Sequence, residues 1–414
     1  MASIITDLKA IPKNSRVVLG VSASWFFSAG LVSSWKNLFI NMFGGFLLVG
    51  AISTVSLGLG LLFSFLGGHL GAAYSEKKIV VTSILVTAIG YALFALASTV
   101  EILALGIVLM TFSSLGAPCL NSIYFGEVQR EHRGLASGTR TVAVNVAAFT
   151  APIVSTHVLL SLLGFVGMMR MGLLLTAICL IINSGVVALL VRPNKGDADA
   201  IRKTPKSKQL FLDGLHTTLR TSPALRILLV VTILESVGYS ISTTYEIFVV
   251  TGIVGVTIDA YSILLLIYGV LFIPLGFIFG RYADRVSRWR CALGFLLLPF
   301  INLALIFSRG FWQLLIILMS GAVGIAAWYA SKYPLITDLT PREKLASVFA
   351  VFLTLPSLFA FFVPFLSSLI LLSFPLEALW MFEVCIFSSA AALVLLAYRF
   401  YSRDFVGASI QLMD

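Results

Sequence analysis

Charged residues are scarce in this sequence. Asp, Glu, Lys and Arg make up only 11% of its 414 residues, whereas a soluble globular domain has about 25%. Hydrophobic residues account for 59%, and the mean hydropathy is +1.02. This composition excludes a soluble globular protein and is typical of a chain that has lipid as its solvent.

Histidine and cysteine are also scarce, with four of each. The histidines are scattered, and the cysteines lie in or beside apolar stretches without the spacing of metal ligands. We therefore expect no metal site, no cofactor and no catalytic residue, and we do not expect an enzyme. The sequence also lacks the Gly-x-x-x-x-Gly-Lys loop that binds the phosphates of ATP, which argues against transport driven by ATP hydrolysis.

Long apolar runs fill most of the chain. About 20 apolar residues suffice for a helix to span the hydrocarbon core of a bilayer, so each run predicts one transmembrane helix. Numbered in chain order, the runs are 17–40, 46–66, 79–98, 102–125, 135–161, 166–191, 226–252, 260–279, 291–307, 311–335, 346–372 and 377–398. The predicted fold is an all-α membrane protein with twelve transmembrane helices in contact with the lipid bilayer.

The basic residues lie on one side of these runs. Nearly all of the 28 Lys and Arg residues precede run 1, follow run 12 or lie in connections after even-numbered runs. Positive charge accumulates on the cytoplasmic side of membrane proteins, so we predict a multi-pass plasma-membrane protein with both termini in the cytoplasm. The net charge of +10 follows from this bias. It favours contact with anionic lipid headgroups and not binding to nucleic acid.

The longest polar stretch divides the runs into six and six. We assign 1–191 to a first half, 192–225 to a cytoplasmic linker and 226–414 to a second half. Within the linker, 209–219 has leucines interspersed with polar residues, which predicts a short amphipathic helix on the membrane surface; a disordered tether is the alternative.

The halves repeat, because Arg-Glu followed by Leu-Ala-Ser precedes both run 5 and run 11. Repeats of the same topology are related by an axis along the membrane normal.

A motif follows run 8, where residues 280–290 read GRYADRVSRWR. This stretch resembles the signature loop of the major facilitator superfamily, in which a glycine and a small residue precede Asp-Arg and further basic residues. The connection after run 2 has the glycines but not the Asp-Arg pair. The resemblance implies two pseudo-symmetric six-helix halves, transport by alternating access, and a path lined by helices 1, 4, 7 and 10.

The resemblance also implies a cytoplasmic gate. As a loop, the motif would use its glycine for a tight turn, set Asp284 against the N-terminus of a neighbouring helix, and pair its arginines with Glu127 or Glu131. Alternatively, Asp284 only caps its own turn. Arg140, one turn inside run 5, is assigned to the same gate. The gate residues are Gly280, Asp284, Arg285, Arg288 and Arg140.

Ionisable residues inside the spans are the main candidates for function. Glu235 lies well inside run 7, and Tyr239, Ser242 and Glu246 follow on the same helical face. Loss of water favours the protonated form of a carboxyl group, so Glu235 is our candidate proton carrier. The alternatives are binding of a cationic substrate and a structural salt bridge to a basic residue of another helix.

Other polar residues are weaker candidates. Lys36 at the outer end of run 1 either attracts an anionic solute or reaches the outer headgroups. Lys332 in run 10 is a gate residue or snorkels, and Glu383 in run 12 is expected to be structural or to snorkel. Side chains that shape the cavity, or only pack in it, are Trp25, Asn121, Asn145, Tyr239, Tyr245, Glu246, Trp328 and Tyr329.

Together these features predict a secondary active transporter for a small-molecule substrate, driven by a proton or another coupling ion. The few Asn and Gln residues in the spans argue against sugars. We favour proton-coupled export of amphipathic or cationic compounds. The alternative is an uptake symporter or an uncoupled facilitator for an organic anion or small nutrient. We expect a monomer.

Overall fold

A computed structural model describes residues 12–73, 75–126, 128, 133–192, 207–341 and 344–410. Every regular element in these ranges is a helix. In hydrocarbon, a helix satisfies its backbone hydrogen bonds internally, which a single open strand cannot do. The architecture is therefore the one that the apolar runs require.

The membrane spans are numbered 1 to 12 in chain order. Several of them consist of two or three consecutive helical segments. Their bounds are Lys13–Ser33 (span 1), Lys36–Ala73 (2), Glu76–Ala95 (3), Val100–Met110 with Ser113–Gly126 (4), Arg133–Val154 with Ser155–Leu160 (5), Ser161–Leu190 (6), Pro223–Phe248 with Val249–Ile253 (7), Ile258–Arg285 (8), Arg288–Ala292 with Leu293–Leu296 and Leu297–Phe307 (9), Phe311–Asp338 (10), Leu345–Phe361 with Val363–Ile370 (11) and Leu376–Ile410 (12).

The prediction of twelve spans is confirmed. Within the described residues, eleven continuous helices are long and apolar enough to cross a membrane, and one of them, Thr139–Leu190, has 52 residues. At 1.5 Å per residue such a helix would be about 78 Å long, more than twice the thickness of the hydrocarbon core. Gly164 interrupts it with φ 68° and ψ 176°, a backbone conformation that favours glycine. This break separates span 5 from span 6.

The first connection differs from the prediction. Run 1 was expected to end at residue 40, but span 1 ends at Ser33 and a new helical stretch begins at Lys36. Gly45 then interrupts this stretch with φ 66°. The indole of Trp35 donates a 3.1 Å hydrogen bond to Ser155 Oγ in span 5, which holds the connection in place. Lys36 is therefore the first residue of the span 2 helix and does not lie at the end of span 1.

The chain forms two compact units, residues 1–204 and 205–414. In the first unit, span 1 packs on spans 5 and 6, span 3 packs on spans 4 and 6, and span 2 packs on span 4. In the second unit, span 7 packs on spans 11 and 12, span 9 packs on spans 10 and 12, and span 8 packs on span 10. Because each pairing recurs six spans later, the two units are pseudo-symmetric six-helix bundles.

Glycine allows some of these helices to approach closely. A Cβ atom added to Gly90 in span 3 would lie 2.6 Å from the backbone nitrogen of Met110 in span 4, and Gly106 faces the same crossing. In the second unit, a Cβ on Gly324 of span 10 would lie 2.9 Å from the carbonyl oxygen of Gly294 in span 9. Small residues have this role in membrane bundles because helix association depends on close van der Waals packing.

A linker helix, Ser207–Thr221, precedes span 7. It packs on the start of span 11, where Gly214 lies directly against the backbone of Ser347. Leu212 and Leu219 are about half exposed, so an apolar side of this helix is open. Its location on the membrane surface stays a prediction, and residues 193–206 of the linker lie outside the described residues.

The crossing of spans 3 and 4 can be tested with Gly90→Ala. The added methyl group has no room, so we expect a loss of about 1–3 kcal/mol in the free energy of unfolding. The control is Gly185→Ala in span 6, where an added Cβ meets nothing within 4 Å. Thermal unfolding in detergent should show a lower midpoint for Gly90→Ala alone, and equal midpoints would contradict the close packing.

Candidate functional site

A buried ion pair joins spans 7 and 10. Lys332 Nζ donates to Glu235 Oε2 at 2.6 Å, and the two side chains are only 8% and 4% exposed. An unpaired charge at this depth would cost several kcal/mol, so each group requires the other. Of the alternatives open for Glu235, the structure therefore has the salt bridge to a basic residue of another helix.

Aromatic rings of span 10 surround the ammonium group. Lys332 Nζ lies 5.8 Å from the ring centroids of Trp328 and Tyr329 and 5.6 Å from that of Tyr333. These distances are typical of cation–π contacts. The ammonium group thus faces Glu235 and three π-systems. From the sequence, Lys332 was expected to be a gate or snorkelling residue, and its partner was not identified.

The polar face of span 7 is engaged by three other spans. Tyr239 interacts electrostatically with Tyr329 of span 10. Further along span 7, Ser242 donates to Glu383 Oε1 of span 12. Glu246 accepts a 2.7 Å hydrogen bond from the hydroxyl of Tyr261 in span 8. This arrangement is consistent with the prediction that these residues lie on one face of span 7. The side chains on that face interact with residues of other spans.

For three residues of the second unit, the structure favours one of the alternatives that the sequence left open. Glu383 does not snorkel, because its side chain is fully buried. Tyr245 is also fully buried and donates a 2.8 Å hydrogen bond to the carbonyl oxygen of Pro364, so it attaches span 7 to span 11. Trp328 is 1% exposed and packs edge-to-face on Phe295. The last two are packing residues and not cavity walls.

A cavity of about 310 Å³ lies within the first unit. This size is at the lower end of the range for small-molecule sites. The cavity brings together three sequence candidates, Trp25, Asn121 and Arg140, whereas Lys36 and Asn145 are not part of its wall. The lining residues are Ser22, Trp25, Phe26, Ala29, Val80, Ser83, Ile84, Ser113, Ser114, Gly116, Ala117, Leu120, Asn121 and Arg140. Most of these side chains are apolar or small hydroxyls.

Arg140 provides the positive charge of this cavity. Its guanidinium donates to Asn121 Oδ1 at 2.5 Å and lies 5.2 Å from the ring centroid of Tyr124. Within the part of the chain that the structure describes, no carboxylate pairs with it. Arg140 was assigned to the gate, but its side chain lines the cavity of the first unit. A guanidinium that no carboxylate of the described residues neutralises suits an anionic ligand.

The predicted signature loop is mostly helix. Gly280, Asp284 and Arg285 lie in the last turns of span 8, and the chain turns only at Val286 and Ser287. The tight turn expected at Gly280 is therefore absent, and a Cβ on Gly280 would meet nothing within 4 Å. The helix of span 8 continues through Gly280 to Arg285. The next helix is capped by Ser287, whose Oγ accepts a hydrogen bond from the backbone N–H of Arg290.

Arg288 has a partner other than the predicted one. It pairs with Asp338 at the end of span 10 and donates a 3.4 Å hydrogen bond to the carbonyl oxygen of Pro334. Both charged groups are about one third exposed, so this bridge contributes at most about 1 kcal/mol. The side chain of Asp284 and the proposed partners Glu127 and Glu131 lie outside the described residues. The gate stays a prediction.

Comparison with known proteins gives a family model and a set of similar folds. The Major Facilitator Superfamily model matches residues 17–253. No curated protein sequence matches significantly. Among solved structures, the nucleoside transporter NupG superimposes with a TM-score of 0.72 at 15% identity, covering 94% of this chain and 100% of that chain.

Two further solved structures are similar over nearly their whole length. A bacterial homologue of the human lysosomal transporter Spinster, in an inward-facing and unoccupied conformation, has a TM-score of 0.72 at 15% identity, covering 95% and 98% of the two chains. A mutant form of a peptide transporter POT has a TM-score of 0.71 at 14% identity, covering 95% of each chain. At these identities the likeness establishes the fold and not the substrate.

A double-mutant cycle tests the ion pair of spans 7 and 10. Glu235→Leu and Lys332→Met each leave one buried charge without a partner, so each should lower the free energy of unfolding by about 3–5 kcal/mol. The double mutant leaves no charge and should recover most of that loss. Unfolding in detergent would measure this, and strictly additive losses would contradict the pairing.

Proposed function

Because this chain belongs to the Major Facilitator Superfamily of membrane transporters, we propose that it is a secondary active transporter for a small organic anion, coupled to protons by alternating access. The observation that carries this proposal is the Glu235–Lys332 ion pair at 2.6 Å between spans 7 and 10. Both termini are proposed to be cytoplasmic in the plasma membrane, following the distribution of basic residues.

The ion pair explains how a proton and an anion move together. While Glu235 is ionised, the pair is neutral. A proton bound to Glu235 removes the negative charge and leaves the ammonium group of Lys332 uncompensated in a site that excludes water, which is costly. An anionic solute then neutralises it. Neither the proton alone nor the anion alone gives a neutral site, so the two ligands favour each other's binding.

The cavity of the first unit supports the same class of substrate. Arg140 has Asn121 as its hydrogen-bond partner and no carboxylate partner within the described residues. Trp25, Phe26 and Leu120 provide apolar surface beside it. A solute with an apolar body and one anionic group complements both features.

This pairing favours an organic anion over a cationic compound as the substrate. A cationic substrate needs a free carboxylate, and Glu235 is already bound to Lys332. An uncoupled facilitator for the anion is the second candidate, since the anion could bind at Arg140 without any proton. It differs from the proposed function in not depending on Glu235.

The substrate class can be tested with three probes of similar shape: benzenesulfonate, benzyltrimethylammonium and benzyl alcohol. We expect only the anion to raise the unfolding temperature of the purified protein, because a ligand at about 100 times its Kd stabilises the fold by about 2.7 kcal/mol. Arg140→Met should abolish the shift, while Arg220→Gln, on the exposed side of the linker helix, should leave it unchanged. Stabilisation by the cation instead would overturn the assignment.

Coupling can be tested in proteoliposomes with Glu235→Gln. A neutral amide cannot take up or release a proton, so accumulation of benzenesulfonate driven by a pH gradient should disappear while exchange across the membrane persists. Glu377→Gln, at an exposed position near the start of span 12, is the matched control. Undiminished uphill accumulation by Glu235→Gln would eliminate Glu235 as the carrier and favour another coupling group.

A further inference from the structure

Glu383 is a second ionisable group buried within the second unit, and the ion pair does not involve it. It lies in span 12 with its side chain fully buried. Ser242 of span 7 donates to Oε1. The other oxygen, Oε2, is buried and has no hydrogen-bond partner among the described residues. A buried polar atom without a partner requires an explanation.

Within the described ranges, no positive charge faces this carboxyl group. Span 7 brings Ser242 and also Glu246, which interacts electrostatically with Glu383. In span 8, Tyr261 donates a hydrogen bond to Glu246. Tyr268, further along the same helix, interacts electrostatically with Glu246. All these neighbours are neutral or acidic.

The other elements packed on span 12 add no cation here. The segments Leu297–Phe307 and Val249–Ile253 contain no titratable side chain. The basic residues at the start of span 9, Arg288 and Arg290, lie at the opposite end of span 12, where Trp289 stacks on Tyr401. An ionised Glu383 would therefore be a buried anion that no cation of the described residues compensates, which is far more costly than the protonated acid.

We propose that Glu383 is a proton-binding site in the interface of spans 7 and 12, separate from the Glu235–Lys332 pair, and that it exchanges its proton during the transport cycle. The proton is bound to Oε2, while Oε1 keeps the hydrogen bond from Ser242. Release breaks the Oε2–H bond, transfers the proton to water and leaves a carboxylate with one negative charge; binding is the reverse. This inference rests on the proposed proton coupling and adds a second titratable site to it.

The chemistry of the site suits a proton better than a metal cation. A hard cation needs several oxygen ligands at once, and in transporters these often include backbone carbonyls of unwound helix. Span 12 is continuous helix through Glu383, so its carbonyls are engaged. Ser242 supplies one hydroxyl, and a single proton on Oε2 removes the negative charge without any further ligand.

A purely structural role predicts a different behaviour. A permanently protonated Glu383 would fix span 12 to span 7 and would never titrate. A proton-exchange site must instead change its protonation with pH, and Glu246, one helical turn from Ser242 on span 7, disfavours a second negative charge nearby. The test therefore has to observe the carboxyl group itself.

Infrared difference spectroscopy of the full-length protein in liposomes, between an acidic and an alkaline buffer, observes it directly. We expect a protonated-carboxyl band that disappears on alkalinisation, that is absent in Glu383→Gln and that persists in Glu377→Gln. Ser242→Ala should retain the band at a shifted frequency, because one hydrogen bond to the carboxyl group is lost. That variant also keeps the assignment testable if Glu383→Gln does not fold.

Two results would overturn the proposal. A Glu383 band that is the same in both buffers would show that Glu383 stays protonated and has only a structural role. The absence of any such band would show that Glu383 is ionised in both buffers. Replacing choline by sodium at constant pH should have no effect, and a sodium-dependent loss of the band would identify a metal-cation site instead. Since no solute is present, these results do not depend on transport. A failure of Glu235→Gln in proteoliposomes and a failure here are therefore distinguishable.

Discussion

Hydrocarbon does not solvate charge, and this constraint accounts for most of the structure. It confines the backbone to helices and removes nearly all charged residues from the spans. The few that remain must be paired, neutralised or turned toward a cavity. Glu235 and Lys332 satisfy the constraint by pairing at 2.6 Å. Glu383 has no cation nearby in the described part of the chain and satisfies it only in the protonated form.

Under the proposed function, pairing also makes the site responsive to protons. A salt bridge at the protein surface is screened by water, and the loss of one partner has little effect. In a water-excluded site the same loss leaves a charge that another ligand must neutralise. Lys332 would then select for an anion. In the first unit, Arg140 already presents to its cavity a guanidinium that no carboxylate of the described residues compensates. One class of solute is therefore favoured by two independent observations.

Sequence reasoning predicted the features that lipid imposes everywhere and missed those that depend on a few atoms. The number of spans and the six-plus-six repeat follow from apolar length and from the Leu-Ala-Ser recurrence. The breaks at Gly45 and Gly164 lie in the predicted gaps between apolar runs, but the positive φ at each glycine has no signal in hydropathy. The partnership of Glu235 with Lys332 joins residues 97 positions apart, and it depends on the placement and rotation of two separate helices. The signature stretch was read as a loop, because its glycine was taken for a turn.

The most direct test of proton coupling is the pH inside proteoliposomes when an inward gradient of benzenesulfonate is imposed without any pH gradient. Coupled movement of a proton with the anion predicts that the lumen acidifies as the anion enters, and that liposomes without protein show no change. Entry of the anion with an unchanged lumen pH, or with alkalinisation, would contradict the account.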